Sequence, residues 1–271
     1  MQKAKIKVFI VSLRDSHERR EKVSSQLHAL KIHFEWIDAI LGRALPTEEI
    51  RQYQLNQRSG GGRPYDITPG EIGCALSHNE AYRRIIEDGL DGAIILEDDI
   101  QLLDGFAEVV AFFQQSSSLV SSGSVVILGG LDGLQEKTKV THSLWGSLRI
   151  SGNYKLLVSV DSWFWRACSY YIDKVAAVQL LEFNRGVYAV ADEWNYFLKK
   201  SIIERIMYVQ PWVTEHPTGF DDGSILAVER ASATASLRLA SDSQSISTLR
   251  TIVRNSRRQM RRLIPNVRPR T

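Results

Sequence analysis

"TPGEIGCALSHNEAYRRIIEDGLDGAIILEDD", residues 68–99, decides how this chain folds. Thr68 is placed to cap a helix, Pro69 occupies the first helical position, where its missing N–H does no harm, and Glu71 follows the cap by three. Together they make a capping box, which predicts a helix over residues 68–88 with Gly89 as its C-cap. "GAIILE" is then a short apolar run of the kind that forms a buried strand. It ends on three adjacent carboxylates, Glu97, Asp98 and Asp99. In an α/β sheet, ligands bind outside the carboxyl ends of the strands, so the run stands where chemistry is expected.

Three neighbouring like charges form either a solvated acidic turn or a site that shares a counter-charge. Hard divalent cations such as Mn²⁺ or Mg²⁺ take carboxylate oxygens, commonly one or two from the protein plus phosphate oxygens of a substrate. Along an extended segment Glu97 and Asp99 point to one side and Asp98 to the other, so all three are not expected to be ligands. Asp99 is the first candidate metal ligand and Asp98 the second.

Working outward, "KIKVFIVSL" reads as a buried first strand, followed by the turn residues Arg14, Asp15 and Ser16. "HERREKVSSQLHAL" has helical apolar spacing and "IHFEWIDAI" is a second strand. The βαβ rhythm predicts an α/β fold with a mostly parallel central sheet. "RSGGGRP" reads as a loop, "SVVILGG" as a strand, "YYIDKVAAVQLLEF" and "ADEWNYFLKK" as helices and "IMYVQP" as a late strand. There is no internal repeat.

The 271 residues are 44% hydrophobic, enough for one large core. No apolar run reaches membrane-spanning length, and the short run after the basic start reads as a strand and not a signal peptide. Two cysteines, Cys74 and Cys168, without short spacing fit a reducing, cytoplasmic setting. The net charge of +3 hides an asymmetry: residues 231–271 hold nine arginines against one acid, while the first 230 carry 25 basic and 30 acidic side chains. Three parts follow: a domain over 1–230, a Ser/Ala/Thr-rich linker over 231–248 and a basic amphipathic C-terminal helix over 249–271. From Ile246 onward apolar residues and arginines segregate at helical spacing, the pattern of a helix lying on an anionic membrane surface. Docking of that stripe on the protein body or oligomerisation are the alternatives. Nucleic acid is not the expected partner, because the arginines lack interleaved aromatics.

"VFIVSLRDSHERREKVSSQL", "DITPGEIGCALSHNEAY" and "AIILEDDI" occur in an order and spacing that resembles the family 25 glycosyltransferases, which include bacterial lipooligosaccharide galactosyltransferases. The resemblance is strong over residues 5–105, thinner over about 125–225 and absent in the tail. It departs at Ser12, where the family carries Asn. The resemblance implies a GT-A type nucleotide-diphospho-sugar fold and inverting transfer of a hexose, galactose first, from a UDP-sugar to a saccharide hydroxyl of a lipid-linked acceptor. Glu97, Asp98 and Asp99 would take the place of the family's DxD motif, with Mn²⁺ bridging them to the diphosphate. Ser12, Leu13 and Arg14, with Arg20 on the following helix, would line the donor nucleotide. Arg14 at the strand end is preferred over Arg19 and Arg20, which also read as solvated helix surface.

Thr68, Glu71 and His78 lie in the centre of the matching block. If the helix start opens on the cleft they would meet a phosphate or sugar; otherwise His78 is a hydrogen-bonded residue of the helix–sheet interface. An inverting transfer needs a general base at the acceptor hydroxyl. Asp192 is the first candidate and Glu193 the second, with helix capping the alternative for Asp192. His216, in a late loop with Asp221 and Asp222, is a candidate third metal ligand by similarity to other GT-A enzymes. These expectations place the protein in the cytoplasm, peripheral to the inner membrane.

Overall fold

The computed structural model describes residues 4–60, 66–120, 122–131, 140–160 and 164–216. The expected linker and basic C-terminal helix, together with Asp221 and Asp222, lie outside them.

A mixed eight-stranded sheet organises the molecule. Its strands are β1 (Ile6–Ser12), β2 (Glu35–Asp38), β3 (Gly92–Glu97), β5 (Ser124–Ile127), β6 (Leu148–Ser151), β7 (Tyr154–Val158), β8 (Ser169–Asp173) and β9 (Arg205–Gln210). They are ordered β2-β1-β3-β8-β5-β9-β7-β6. The pairs β1–β2, β1–β3 and β5–β9 are parallel. Strand β8 runs antiparallel to both β3 and β5, and β7 antiparallel to β9 and β6. Six of the eight strands therefore share one direction, and the expected mostly parallel sheet is present with two reversed strands inside it. A separate two-stranded ribbon pairs β4 (Gln101–Leu102) with β10 (Thr214–Glu215).

Alternation along the strands gives each face its own core. Phe9, Val11, Ile95, Ile127, Tyr170 and Ile172 point to one face. There they meet Ala81, Tyr82 and Ile85 of α3 (Pro69–Glu87), Ala176 and Leu180 of α5 (Lys174–Asn184), and Trp194 and Phe197 of α6 (Trp194–Lys199). Val8, Ile10, Ile94, Leu96, Val126 and Tyr171 point the other way, onto Val23 and Leu27 of α1 (His17–Ala29) and Phe106, Val109 and Phe113 of α4 (Phe106–Ser116). A central strand buried on both faces must be apolar at every position, which is why β1 and β3 read as continuous runs.

Helix α3 starts and stops as its sequence demands. Thr68 Oγ1 accepts from the Glu71 N–H at 3.2 Å, and the Glu71 carboxylate accepts from the Thr68 N–H at 3.0 Å. At the other end Gly89, at φ +60°, donates to Ile86 O and the Leu90 N–H donates to Ile85 O. Those two bonds are the Schellman pair that satisfies the last carbonyls. A 3-10 turn (Gly42–Ala44) covers the first turn of α3 so closely that a Cβ on Gly42 would lie 1.7 Å from Pro69 O, and one on Gly73 2.4 Å from Ile40 O. This backbone contact fixes the helix against the loop after β2.

Several expectations need correction. "YYIDKVAAVQLLEF" is not one helix: its first four residues end β8, and Asp173 caps α5 by accepting from the Ala176 N–H at 2.8 Å. Buried strand pairing outweighs the helical spacing of Tyr170, Tyr171 and Ile172. Arg58 to Gly60 are not loop but the last residues of α2 (Thr47–Gly60), where Tyr196 donates to Gly60 O at 2.5 Å. Helices α2 and α4 and the β6–β7 pair were not foreseen.

Candidate functional site

The carboxyl end of β3 brings together side chains from four segments. Register in the sheet sets the first contact: Val11 pairs with Glu97, so Ser12 emerges beside Asp98, and its hydroxyl donates to Asp98 Oδ2 at 2.6 Å. The position where the resemblance breaks is thus engaged with the acidic run. Burial, the largest influence, pushes the Asp98 carboxyl up, and the neighbouring Asp99 adds to that against Ser12 and Arg19.

Strand β3 ends at Glu97, so Asp98 and Asp99 lie in a turn and not on the extended segment that the alternation argument assumed. Asp99 Oδ2 lies 3.4 Å from His216 Nε2, and Glu97, Asp99 and His216 present ligand atoms all within 4.8 Å of one another. Burial would raise the Asp99 carboxyl, but the hydrogen bond and charge of His216 and the charge of Arg19 outweigh it and hold the group below its ordinary value. Asp99 Oδ1 is buried and accepts no hydrogen bond from any described residue. A buried carboxylate oxygen without a partner is costly unless something fills its coordination. Two carboxylates and an imidazole suit a small divalent cation such as Mn²⁺ or Mg²⁺. The residues present fit such an ion, with Glu97 in the set and Asp98 drawn off to Ser12.

His216 arrives through the β4–β10 ribbon, stitched on both sides. Leu103 N–H donates to Val213 O, Val213 N–H to Leu128 O and Gly130 N–H to Thr214 O, at 2.9, 3.0 and 3.1 Å. Gly129 permits this approach, since a Cβ there would sit 2.0 Å from Thr214 O.

Arg19, ranked behind Arg14 and read also as solvated helix surface, has its Nη1 3.4 Å from both Asp98 Oδ1 and Asp99 Oδ2. Among the described residues it is a cation that Asp98 and Asp99 share. The signal lay in its position one turn into the helix that follows β1, whose end abuts β3. Arg14 and Arg20 converge instead on Asp38, at 2.5 and 2.7 Å, and Arg20 also donates to Ser12 O and Leu13 O and stacks on Trp36.

These arginines give a pH prediction. Hydrogen bonds from Arg14 and then Arg20 hold the Asp38 carboxyl below its ordinary 3.8. A carboxyl lowered in the fold stabilises it above the unfolded value, and that contribution is lost as pH falls through the folded value. Urea melts should show wild type losing stability relative to Asp38→Asn as pH drops from about 5 toward 3. At neutral pH solvent screening should keep the difference under about 1 kcal/mol. Parallel curves for the two proteins across that range would remove the effect.

Thr68 and Glu71 hydrogen-bond each other under the 3-10 turn. His78 is buried between α3 and the sheet, with Nδ1 2.7 Å from Tyr170 Oη, which lies 2.9 Å from Tyr82 Oη. Nε2 of His78 is 3.4 Å from Glu97 Oε1. A buried relay therefore runs from Tyr82 to the carboxylate at the end of β3. Burial raises both phenols, which stay neutral.

Asp192 is buried and does not cap α6; Glu193 is the N-cap residue and makes no side-chain cap bond. Asp192 Oδ2 instead accepts from the Arg166 N–H at 3.3 Å. Arg166, at φ +67°, also donates from Nη1 to Gly130 O at 2.8 Å and accepts from Trp194 Nε1 at 3.0 Å. It ties Asp192 to the strand end that faces His216, a link without a local sequence signal. Trp194 itself is a core residue.

Comparison with known proteins bears on this site. Procollagen galactosyltransferase 1-B of Xenopus laevis is 33% identical over 97 residues, covering 35% of this chain and 16% of that protein. Inactive glycosyltransferase 25 family member 3 of Mus musculus is 27% identical over 169 residues, covering 56% and 28%. The chain spans less than a third of the length of these relatives. A solved glycosyltransferase involved in the glycosylation of the major capsid of PBCV-1 aligns with 85% of this chain and 98% of its own at 8% identity and a TM-score of 0.37, a likeness too slight to argue from. The profile of Glycosyltransferase family 25 (LPS biosynthesis protein) matches residues 5–194, which include the acidic run, the relay and Asp192 but not His216. With that match over most of its length, the chain belongs to glycosyltransferase family 25.

Proposed function

We propose that the protein is an inverting, metal-dependent glycosyltransferase with a GT-A type fold, moving a hexose from a UDP-sugar to a saccharide hydroxyl of a bacterial surface glycolipid. The observation that carries this reading is the Glu97–Asp99–His216 set at the carboxyl end of β3, with one Asp99 oxygen buried and unmatched. Family membership supports sugar transfer, and relatives named galactosyltransferases favour galactose. The family description favours a lipopolysaccharide acceptor.

Glu97, Asp99 and His216 would hold Mn²⁺ or Mg²⁺, whose charge would offset that developing on a departing diphosphate. Arg19 holds the Asp98 and Asp99 carboxylates from the side of β1. Asp192, positioned by the Arg166 N–H, is the candidate to take the proton from the acceptor hydroxyl. The arginine-rich tail would bring the enzyme to the anionic cytoplasmic leaflet of the inner membrane, where a lipid-linked acceptor is presented. Among the described residues no helix is long and apolar enough to cross a membrane.

Relatives named as inactive favour one second reading, a non-catalytic binder of a sugar nucleotide or glycan. A thermal-melt series with UDP, UDP-galactose, UDP-glucose, UDP-GlcNAc, GDP-mannose and CMP-sialic acid, with Mn²⁺ or with EDTA, tests both. A ligand at 100 times its Kd stabilises by about 2.7 kcal/mol, which for this size is a shift of roughly 5–10 °C. A shift confined to uridine ligands and lost in EDTA is the expected result. Uridine-specific shifts without turnover of any UDP-sugar would move the assignment to the binder, and no shift with any ligand would overturn the donor assignment.

A further inference from the structure

We propose that Cys74, His78 and Glu97 form a binding site for a thiophilic divalent cation such as Zn²⁺, and that this site competes with the Glu97–Asp99–His216 set for the carboxylate they share. The competition rests on the metal reading of that neighbouring set; the thiophilic site does not.

Cys74 and His78 stand four residues apart on α3 and so project from one face. The capping box and the Gly42–Gly73 backbone contact hold that face toward the end of β3. Cys74 Sγ lies 3.9 Å and His78 Nε2 3.4 Å from Glu97 Oε1, and the three ligand atoms fall within 4.8 Å of one another. Ligands about 2.0–2.3 Å from a tetrahedral ion are separated by ~3.5 Å, so small side-chain adjustments would seat one ion. Its thiol proton leaves as the ion binds.

A second observation points the same way. A metal-binding histidine is held by a partner on its other ring nitrogen. His78 Nδ1 has that partner in Tyr170 Oη at 2.7 Å, itself fixed by Tyr82 Oη, which leaves Nε2 as the nitrogen facing Cys74 and Glu97. Access exists as well, because Cys74 is half-buried and the Glu97 side chain is 26% exposed.

The two sets differ in chemistry. Sulfur, nitrogen and oxygen select soft or borderline ions, whereas two oxygens and a nitrogen accept harder ones. Glu97 belongs to both, and its carboxylate cannot serve two ions at full strength. A thiophilic ion would thus draw Glu97 toward α3 and weaken the neighbouring set. Cys168 is not an alternative ligand, since its sulfur is fully buried against Gly130.

Titration of the reduced full-length chain with Cd²⁺, followed by the ultraviolet thiolate-to-cadmium charge-transfer absorbance, tests the proposal. Saturation at one ion per chain is expected in wild type and in Cys168→Ser, with loss of the band in Cys74→Ser. Cys74→Ala provides a second form without the Cys74 thiol if the serine variant fails to fold. A band that persists without Cys74, or that wild type and Cys168→Ser both lack, would overturn the site. Excess Mn²⁺ should weaken Cd²⁺ binding at least tenfold. A Cys74-dependent band that Mn²⁺ leaves unmoved would overturn the competition and count against the harder-ion set, while the thiophilic site would stand.

Discussion

Exchange of Asp99 for asparagine is expected to lower sugar-transfer turnover by roughly 10²-fold or more, the scale seen when a group that stabilises developing charge is removed. The side chain keeps its shape, so the fold should persist, with a melting temperature within about 3 °C of wild type. Physically, the change removes the anionic oxygen that His216 and Arg19 now address and leaves a neutral amide where a cation would need charge. Turnover of a UDP-sugar with a saccharide acceptor measures it. A rate within a few-fold of wild type, in a folded variant, would falsify the metal assignment. Loss of turnover together with a collapse in melting temperature would instead show that the carboxylate serves the fold.

Gly129→Ala should weaken Mn²⁺ binding at least tenfold while costing about 1–3 kcal/mol of stability, the range for overpacking. The new methyl would meet Thr214 O at 2.0 Å and Thr214 Oγ1 at 2.6 Å, contacts that only a shift of the backbone can relieve. Thr214 lies two residues before His216, so the shift is transmitted to the ligand. Gly89→Ala is the control: it forces alanine to φ +60°, costing about 1–2 kcal/mol, at the far end of α3. If isothermal titration gives both variants wild-type Mn²⁺ affinity, Gly129 does not position His216. If both lose affinity alike, the effect is general destabilisation.

Local signals were the ones the sequence carried plainly. Thr68, Glu71 and Gly89 specify the ends of α3 through bonds within a few residues, and the structure makes those bonds. The alternation of Glu97, Asp98 and Asp99 assumed an extended segment, whereas β3 ends at Glu97 and the two aspartates lie in a turn. What escaped depends on distant partners. Asp173 marks the break between β8 and α5, but Tyr170 and Tyr171 look helical until the strands beside them are known. Arg19 acquires its role only because β1 and β3 are neighbours with Val11 opposite Glu97. His216 could be suspected by analogy, yet nothing near it announces a ribbon of two residues that carries it to Asp99. Arg166 had no local signature at all.

The position of β9 has a consequence for where this protein can be cut. The family match ends at residue 194, but β9 (Arg205–Gln210) lies inside the sheet, bonded to β5 on one side and β7 on the other. A chain ending at 194 would detach the β6–β7 hairpin and leave Val125 and Ile127 on a raw edge open to pairing with other molecules. The smallest piece able to fold cooperatively must therefore reach past the homologous block and through the ribbon that delivers His216. During synthesis the sheet closes late, when β9, the last of its strands in chain order among the described residues, slots between strands already made. Expression of fragments chosen by sequence similarity alone should yield aggregates, whereas a boundary beyond residue 216 keeps the sheet whole.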